Sequence, residues 1–180
     1  VKKNKIKVIS NPYDFVEIKK MTQIKPSKKD FKLINKPFIL NVGRLHPQKN
    51  LKFLINVFQK IVEKDKFKNL NLYILGEGKL KKELHNLIKS KNLLNNVKLL
   101  GFKKNPFIFM KKCELFFLSS IYEGHSNVLV HSQILNRKIL SSSAHGANDE
   151  VLNNHGNIYS SNIPAHVANL ACKIISNKKP

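Results

Sequence analysis

The sequence predicts an α/β domain with a doubly wound, mostly parallel Rossmann-like sheet and helices on both faces. Short apolar runs of strand character alternate with segments whose apolar residues recur at helical spacing, the pattern of parallel strands joined by covering helices. Glycines 43, 76, 101 and 124 follow predicted strand ends directly or within a few residues, where chains in such sheets turn sharply. The length of 180 residues, 42% of them apolar, suffices for one well-cored domain and not for two ordinary ones, so residues 1–180 are read as a single unit.

Phe38 to Val42 reads as the first strong strand, with Lys7 to Ser10 an edge-strand candidate in an otherwise ambiguous first 30 residues. After the loop Gly43-Arg44-Leu45-His46-Pro47, the spacing of Leu51, Leu54, Ile55, Phe58, Ile61 and Val62 predicts a helix. Leu70 to Leu75 is the second strand, closed by Gly76-Glu77-Gly78 and followed by a helix marked by Leu80, Leu84, Leu87 and Ile88. Val97 to Leu100 is the third strand, Asn105-Pro106 opens a short helix through Lys112, and Leu115 to Leu118 is the fourth strand. Ser126 is a natural N-cap for an apolar helix through about Leu135. Lys138 to Ser141, a short helix from about Asp149 to Asn153, a strand at Asn157 to Tyr159, and a helix from Pro164 to Ser176 complete the pattern.

Composition narrows function. The 33 basic residues against 11 acidic give a net charge of +22, which suits an anionic partner. Only Arg44 and Arg137 are arginine, and the other 31 are lysines spread over every segment. A nucleic-acid binder concentrates its cations on one stripe and interleaves aromatics, so this dispersal argues against nucleic acid and leaves open contact with anionic membranes or phosphorylated ligands. No apolar run approaches the roughly 18 residues of a membrane helix and no signal-peptide pattern is present, which predicts a cytoplasmic protein. Cys113 and Cys172 read as reduced packing residues, and no histidine or carboxylate cluster has metal-ligand spacing, so no metal is expected.

Ligands of such sheets bind beyond the carboxyl ends of the strands. Neither a dinucleotide fingerprint nor a P-loop occurs, which argues against a dinucleotide oxidoreductase and a P-loop NTPase. Arg44, Lys49 and the helix start at Ser126 share the predicted edge, and two cations with a helix N-terminus suit a diphosphate. Lys49, one of 31 lysines, reads equally as a solvent-facing residue; Arg44, one of two arginines, points more strongly to a site.

The segments Gly43-Arg44-Leu45-His46-Pro47-Gln48-Lys49-Asn50, Leu75-Gly76-Glu77-Gly78, Gly101-Phe102 and Ser119 through Val130, in that order, resemble family 4 of the retaining glycosyltransferases with the GT-B fold. The resemblance covers nearly the whole chain and is to the C-terminal, donor-binding half, with Ile9-Ser10-Asn11-Pro12-Tyr13-Asp14 similar to the segment that enters it. It implies transfer, with retention, from a nucleotide-diphosphate sugar such as a UDP- or GDP-sugar, without a cofactor, in lipopolysaccharide or capsule synthesis. It implies a glycan or lipid-linked acceptor, held by a missing N-terminal domain or a separate chain, and peripheral placement at the inner membrane face.

By the same resemblance Arg44, Lys49 and Glu123 are the catalytic residues: two cations neutralising the diphosphate and a carboxylate beside the donor sugar. Gly43, Gly76, Gly78, Phe102, Lys103, Gly124, His125, Ser126, Asn127, Val128, Leu129 and His131 are implied donor contacts. Of these, Gly78, Phe102 and Lys103 match the lining of the nucleobase, and the amides of 126–129 would meet the phosphates. The family's second carboxylate, which holds the ribose, falls at His131, whose ring lacks paired oxygens. Ser132, His125 and the pair Asn136-Arg137 also depart from the pattern, and these departures point either to an altered donor site or to a degenerate fragment without activity. Glu150 after His145-Gly146 still fits the family's glycine-rich loop and acidic helix start.

Overall fold

A computed structural model describes residues 11–177 of the chain. The edge-strand candidate at 7–10 lies outside the described residues. Six strands form one sheet in the order β3-β2-β1-β4-β5-β6: β1 Phe38–Val42, β2 Asn71–Leu75, β3 Val97–Gly101, β4 Leu115–Leu118, β5 Ile139–Ser142 and β6 Asn157–Tyr159. Every strand pairing is parallel. The eight α-helices among the described residues are α1 Phe15–Met21, α2 Lys28–Ile34, α3 Leu51–Val62, α4 Lys81–Ser90, α5 Phe107–Lys112, α6 Asn127–Ile134, α7 Ala147–Leu152 and α8 Pro164–Ser176.

Alternation along each strand divides the interior into two cores. Ile39, Leu72, Ile74 and Phe117 pack under α3, α4 and α8, whereas Phe38, Leu40, Tyr73 and Phe116 pack under α5, α6 and α7. The winding reverses at α5, which carries the chain from β3 at the sheet edge to β4 beside β1. The doubly wound reading therefore stands, with both faces covered as a parallel sheet requires. Cys113 and Cys172 are both buried.

Several boundaries differ from expectation by a residue or two. β2 starts at Asn71 and β5 at Ile139, while β3 runs on to Gly101 and α7 begins at Ala147. The two helices α1 and α2 occupy the segment that periodicity left unassigned. Each has seven residues and one buried anchor, Ile18 or Ile34, too few turns to establish a period. Both are capped by side chains: Asp14 accepts from the Glu17 amide at 2.7 Å and Ser27 from the Asp30 amide at 3.1 Å.

Asparagine replaces glycine at helix ends in this glycine-poor chain. Of seven non-glycine residues at positive φ among the described residues, five are asparagine, and Asn92, Asn136 and Asn153 each follow a helix in the left-handed conformation that asparagine tolerates best. Arg137 next to Asn136 donates to the carbonyls of Leu135 and Lys111 at 2.9 Å each, satisfying the C-terminal ends of two helices at once.

Candidate donor site at the β1–β4 seam

The order of the sheet places the loops after β1 and β4 side by side at the topological switch point, where doubly wound sheets open a crevice. The two loops are stitched together. Ser119 Oγ donates to the Lys49 carbonyl at 2.7 Å and the Ile121 amide to the Gln48 carbonyl at 2.8 Å. Gln48 Nε2 donates to the Tyr122 carbonyl at 2.9 Å. At the centre Lys49 Nζ lies 2.5 Å from Glu123 Oε1, with side chains 14% and 9% exposed. Ser120 Oγ donates to the same oxygen at 2.6 Å, which leaves Glu123 Oε2 as the oxygen available to a ligand.

The β1 loop is shaped by local chemistry. His46 Nδ1 accepts from the Gln48 amide at 3.3 Å and opens a 3-10 turn, Pro47–Lys49, which Asn50 ends in the left-handed conformation before α3. Buried Leu45 anchors the loop. Its neighbour Arg44 is exposed and forms no ion pair among the described residues. Arg44 and Lys49 thus sit on one loop, the first free and the second matched to a carboxylate.

Gly76 and Gly78 owe their identity to the protein itself. The loop after β2 lies directly on the β1 loop, joined by Gly43 N to Leu75 O and Leu45 N to Glu77 O, both at 2.9 Å. A Cβ on Gly76 would stand 1.9 Å from the Gly43 carbonyl oxygen, at a φ of +136°, and one on Gly78 would stand 2.4 Å from the Leu45 carbonyl oxygen. Close backbone approach accounts for both. A Cβ on Gly124 meets nothing within 4 Å.

The other expected contacts divide. Phe102 is 76% exposed at the carboxyl end of β3. Lys103 pairs with Asp30 at 2.6 Å, and its ammonium lies 5.6 Å from the centre of the Phe109 ring. Ser126 holds the N-cap position of α6 as expected, but its side chain makes no capping hydrogen bond. It is buried, and its carbonyl accepts from the Leu129 and Val130 amides. The amides of Asn127 and Val128 open the helix, and Leu129 is buried below them.

Tyr13 ties this helix start to the front of the chain. Its hydroxyl donates to Asn127 Oδ1 at 2.7 Å and lies 2.8 Å from His125 Nε2, and Asn11 Nδ2 donates to the same Asn127 oxygen at 3.2 Å. One turn along, His131 stands edge-on to Tyr13 and Phe107, with ring centres 5.8 and 5.2 Å apart. This burial pushes the His131 imidazole below its ordinary pKa and favours the neutral ring. Ser132 beside it is buried and donates to the Val128 carbonyl at 2.7 Å. Sequence reasoning missed the roles of Tyr13, Gln48, Ser119 and Ser120. All four lie within the quoted segments, but cross-loop hydrogen bonds leave no period. Glu150 lies exposed in the first turn of α7 beside Asp149, which accepts from Ser143 Oγ at 2.6 Å.

A doubly wound parallel sheet with a paired lysine and glutamate and a free arginine at its switch point is an architecture suited to anionic, nucleotide-like ligands. Residues 23–180 match the family described as glycosyl transferases group 1, and the chain belongs to that family. It is 38% identical over 152 residues to an uncharacterized glycosyltransferase of Methanocaldococcus jannaschii, covering 83% of this chain and 37% of that protein. Over 95 residues it is 50% identical to the N-acetylgalactosamine-N,N'-diacetylbacillosaminyl-diphospho-undecaprenol 4-alpha-N-acetylgalactosaminyltransferase of Campylobacter jejuni, covering 53% of this chain and 25% of that enzyme. The crystal structure of Anabaena Alr3699/HepE in complex with UDP and glucose superposes with a TM-score of 0.77 at 22% identity, over 95% of this chain and 47% of that one. The chain thus spans about a quarter to a half of the length of these proteins. No helix among the described residues is long and apolar enough to cross a membrane.

Proposed function

We propose that the chain is the donor-binding part of a glycosyltransferase that moves a sugar, with retention, from a nucleotide-diphosphate sugar to a glycan or lipid-linked acceptor in surface-glycan synthesis. The observation that carries the reading is the loop Gly43–Lys49 at the switch point, with Arg44 free and Lys49 held by Glu123. Departure of a nucleoside diphosphate builds negative charge on its oxygens, and preorganised cations stabilise that charge as it develops. Arg44 provides a planar, permanently charged group for two phosphate oxygens; Lys49, positioned by Glu123, provides the second charge. Glu123 Oε2, which takes no hydrogen bond from the described residues, would accept from a sugar hydroxyl, and the first amides of α6 would meet phosphate at the positive end of the helix.

The Anabaena neighbour holds UDP and glucose, and the Campylobacter relative acts on a diphospho-undecaprenol-linked sugar; both agree with this reading. The acceptor is held by a part of the enzyme beyond this chain or by a separate chain, at the inner face of the membrane. No cofactor enters this scheme, since the leaving-group charge is met by the protein's own cations.

His131 favours a second reading, a domain that keeps the fold without useful donor affinity, because its ring is enclosed by Tyr13 and Phe107. A thermal-shift titration with UDP, GDP, ADP and inorganic pyrophosphate at low and high salt separates the two. Ligand that binds only the native state raises stability as RT ln(1 + [L]/Kd). A base-selective rise that survives salt supports the donor site; a shift shared by all polyanions and erased by salt supports the second reading.

A further inference from the structure

We propose that Asn41, Ser142 and Asn148 are positioning residues for Glu123, a strut of polar side chains that aims its carboxylate from beneath the crevice. The proposal deepens the donor-site reading and rests on it only for the ligand that Glu123 would meet. Backbone pairing gives out where the site begins. The β1–β4 register ends at Leu40 and Phe116, and the β4–β5 register ends at Leu118 and Ser141. Beyond those points a side chain takes over on each flank of β4. Asn41 Nδ2 donates from β1 to the Phe117 carbonyl at 2.8 Å, and Ser142 Oγ donates from β5 to the Ser120 carbonyl at 2.5 Å. Asn148 of α7 holds the end of β5 in turn, its Nδ2 donating to the Ser142 carbonyl at 2.9 Å and to Ser141 Oγ at 3.0 Å.

Ser120 links the strut to the site. It is buried, its carbonyl accepts from Ser142, and its own hydroxyl donates to Glu123 Oε1. A shift at residue 142 therefore passes to the carboxylate that holds Lys49. The two asparagines carry a cost that packing alone would not impose. Both are buried, and their Oδ1 atoms are the two buried side-chain polar atoms without a hydrogen-bond partner among the described residues. A leucine would fill such space without stranding an oxygen. What asparagine supplies at both places is an amide N–H aimed at a backbone carbonyl at the end of β4 or β5. A hydrogen-bonded network of this kind fixes the orientation of the groups on which it ends.

The test measures the Lys49–Glu123 coupling by urea melts of the parent, Lys49→Met, Glu123→Gln and the double variant. The same cycle is then run in Ser142→Ala, Ser142→Thr, Asn41→Leu and Asn148→Leu backgrounds. Coupling should fall to about half or less with Ser142→Ala and with either leucine, whichever way stability itself moves, and Ser142→Thr, which keeps the hydroxyl, should retain it. Asn71→Ala removes the amide of another buried asparagine, which donates to the Pro37 carbonyl at the opposite edge of the sheet; it should lower stability and leave the coupling at its parent value. NMR of the parent gives a reading without substitution: the Ser142 hydroxyl proton should exchange with solvent more slowly than that of exposed Ser160. UDP titrated in parallel should bind Ser142→Ala about threefold or more weakly than the parent. A parent that binds no UDP sinks the donor-site reading alone, and the coupling still decides the strut. Absent coupling in the parent, unchanged coupling in Ser142→Ala or in either leucine variant, an equal fall in Asn71→Ala, or fast exchange of the Ser142 hydroxyl would overturn the proposal. So would equal UDP affinity in Ser142→Ala and a parent that binds it.

Discussion

Lys49 Nζ and Glu123 Oε1 meet at 2.5 Å across the seam between β1 and β4, and Ser120 reaches the same carboxylate oxygen from the strand end. The pair joins two loops whose sequence separation is 74 residues, so its formation reports that the switch-point crevice is assembled. Glu123→Gln leaves an ammonium with little solvent and no counter-charge, and should lower stability by about 1–3 kcal/mol. In a double-mutant cycle, Lys49→Met combined with Glu123→Gln should cost clearly less than the two single changes together. Urea melts of the four proteins give the coupling, and strict additivity would mean the contact contributes nothing.

The two glycine positions make a contrasting pair. Gly76→Ala forces a Cβ against the Gly43 carbonyl at positive φ and should cost roughly 3 kcal/mol or more. Gly124→Ala, which meets open space, should change stability by no more than about 0.5 kcal/mol. Thermal denaturation of both variants decides whether loop packing or ligand approach accounts for each glycine.

Stability should fall as the medium is acidified through the His131 transition. The folded-state pKa of this ring lies below its unfolded value of 6.5, so below that pH the unfolded chain binds more protons than the native one. The contribution of the neutral ring is therefore present above pH 6.5 and is lost as pH falls toward the folded pKa. His131→Phe should flatten this part of a stability-against-pH curve, and an unchanged slope would assign the effect to another group.

Burial pushes the Cys113 thiol up to about 12, so almost no thiolate exists at neutral pH. Native protein should resist alkylation at Cys113 by iodoacetamide, and the residue should react readily in denaturant. Peptide mapping after timed labelling measures both rates.

The sheet was legible because each strand is a short apolar run followed by a turn signal, and β1, β4 and β6 lie where the pattern puts them. The helices with a long apolar face, α3 and α8, were equally plain. α1 and α2 escaped because seven residues carry one buried anchor each. At the site, residue types picked out Arg44 and Lys49, and the resemblance added Glu123. The fold then brings Lys49 and Glu123 together and leaves Arg44 free. The partner of Lys103 was invisible in one dimension: Asp30 arrives from α2 and takes its charge. Ser126 takes the N-cap position that its residue type predicts, without the side-chain hydrogen bond.

The central claim is that the loop bearing Arg44 is a diphosphate site, and isothermal titration of UDP and GDP into the parent chain and into Arg44→Ala tests it most directly. Arg44 is exposed and unpaired among the described residues, so the variant should melt with the parent while losing about tenfold or more in nucleotide affinity. Equal affinity in the two proteins, or no saturable nucleotide binding by the parent, would contradict the account.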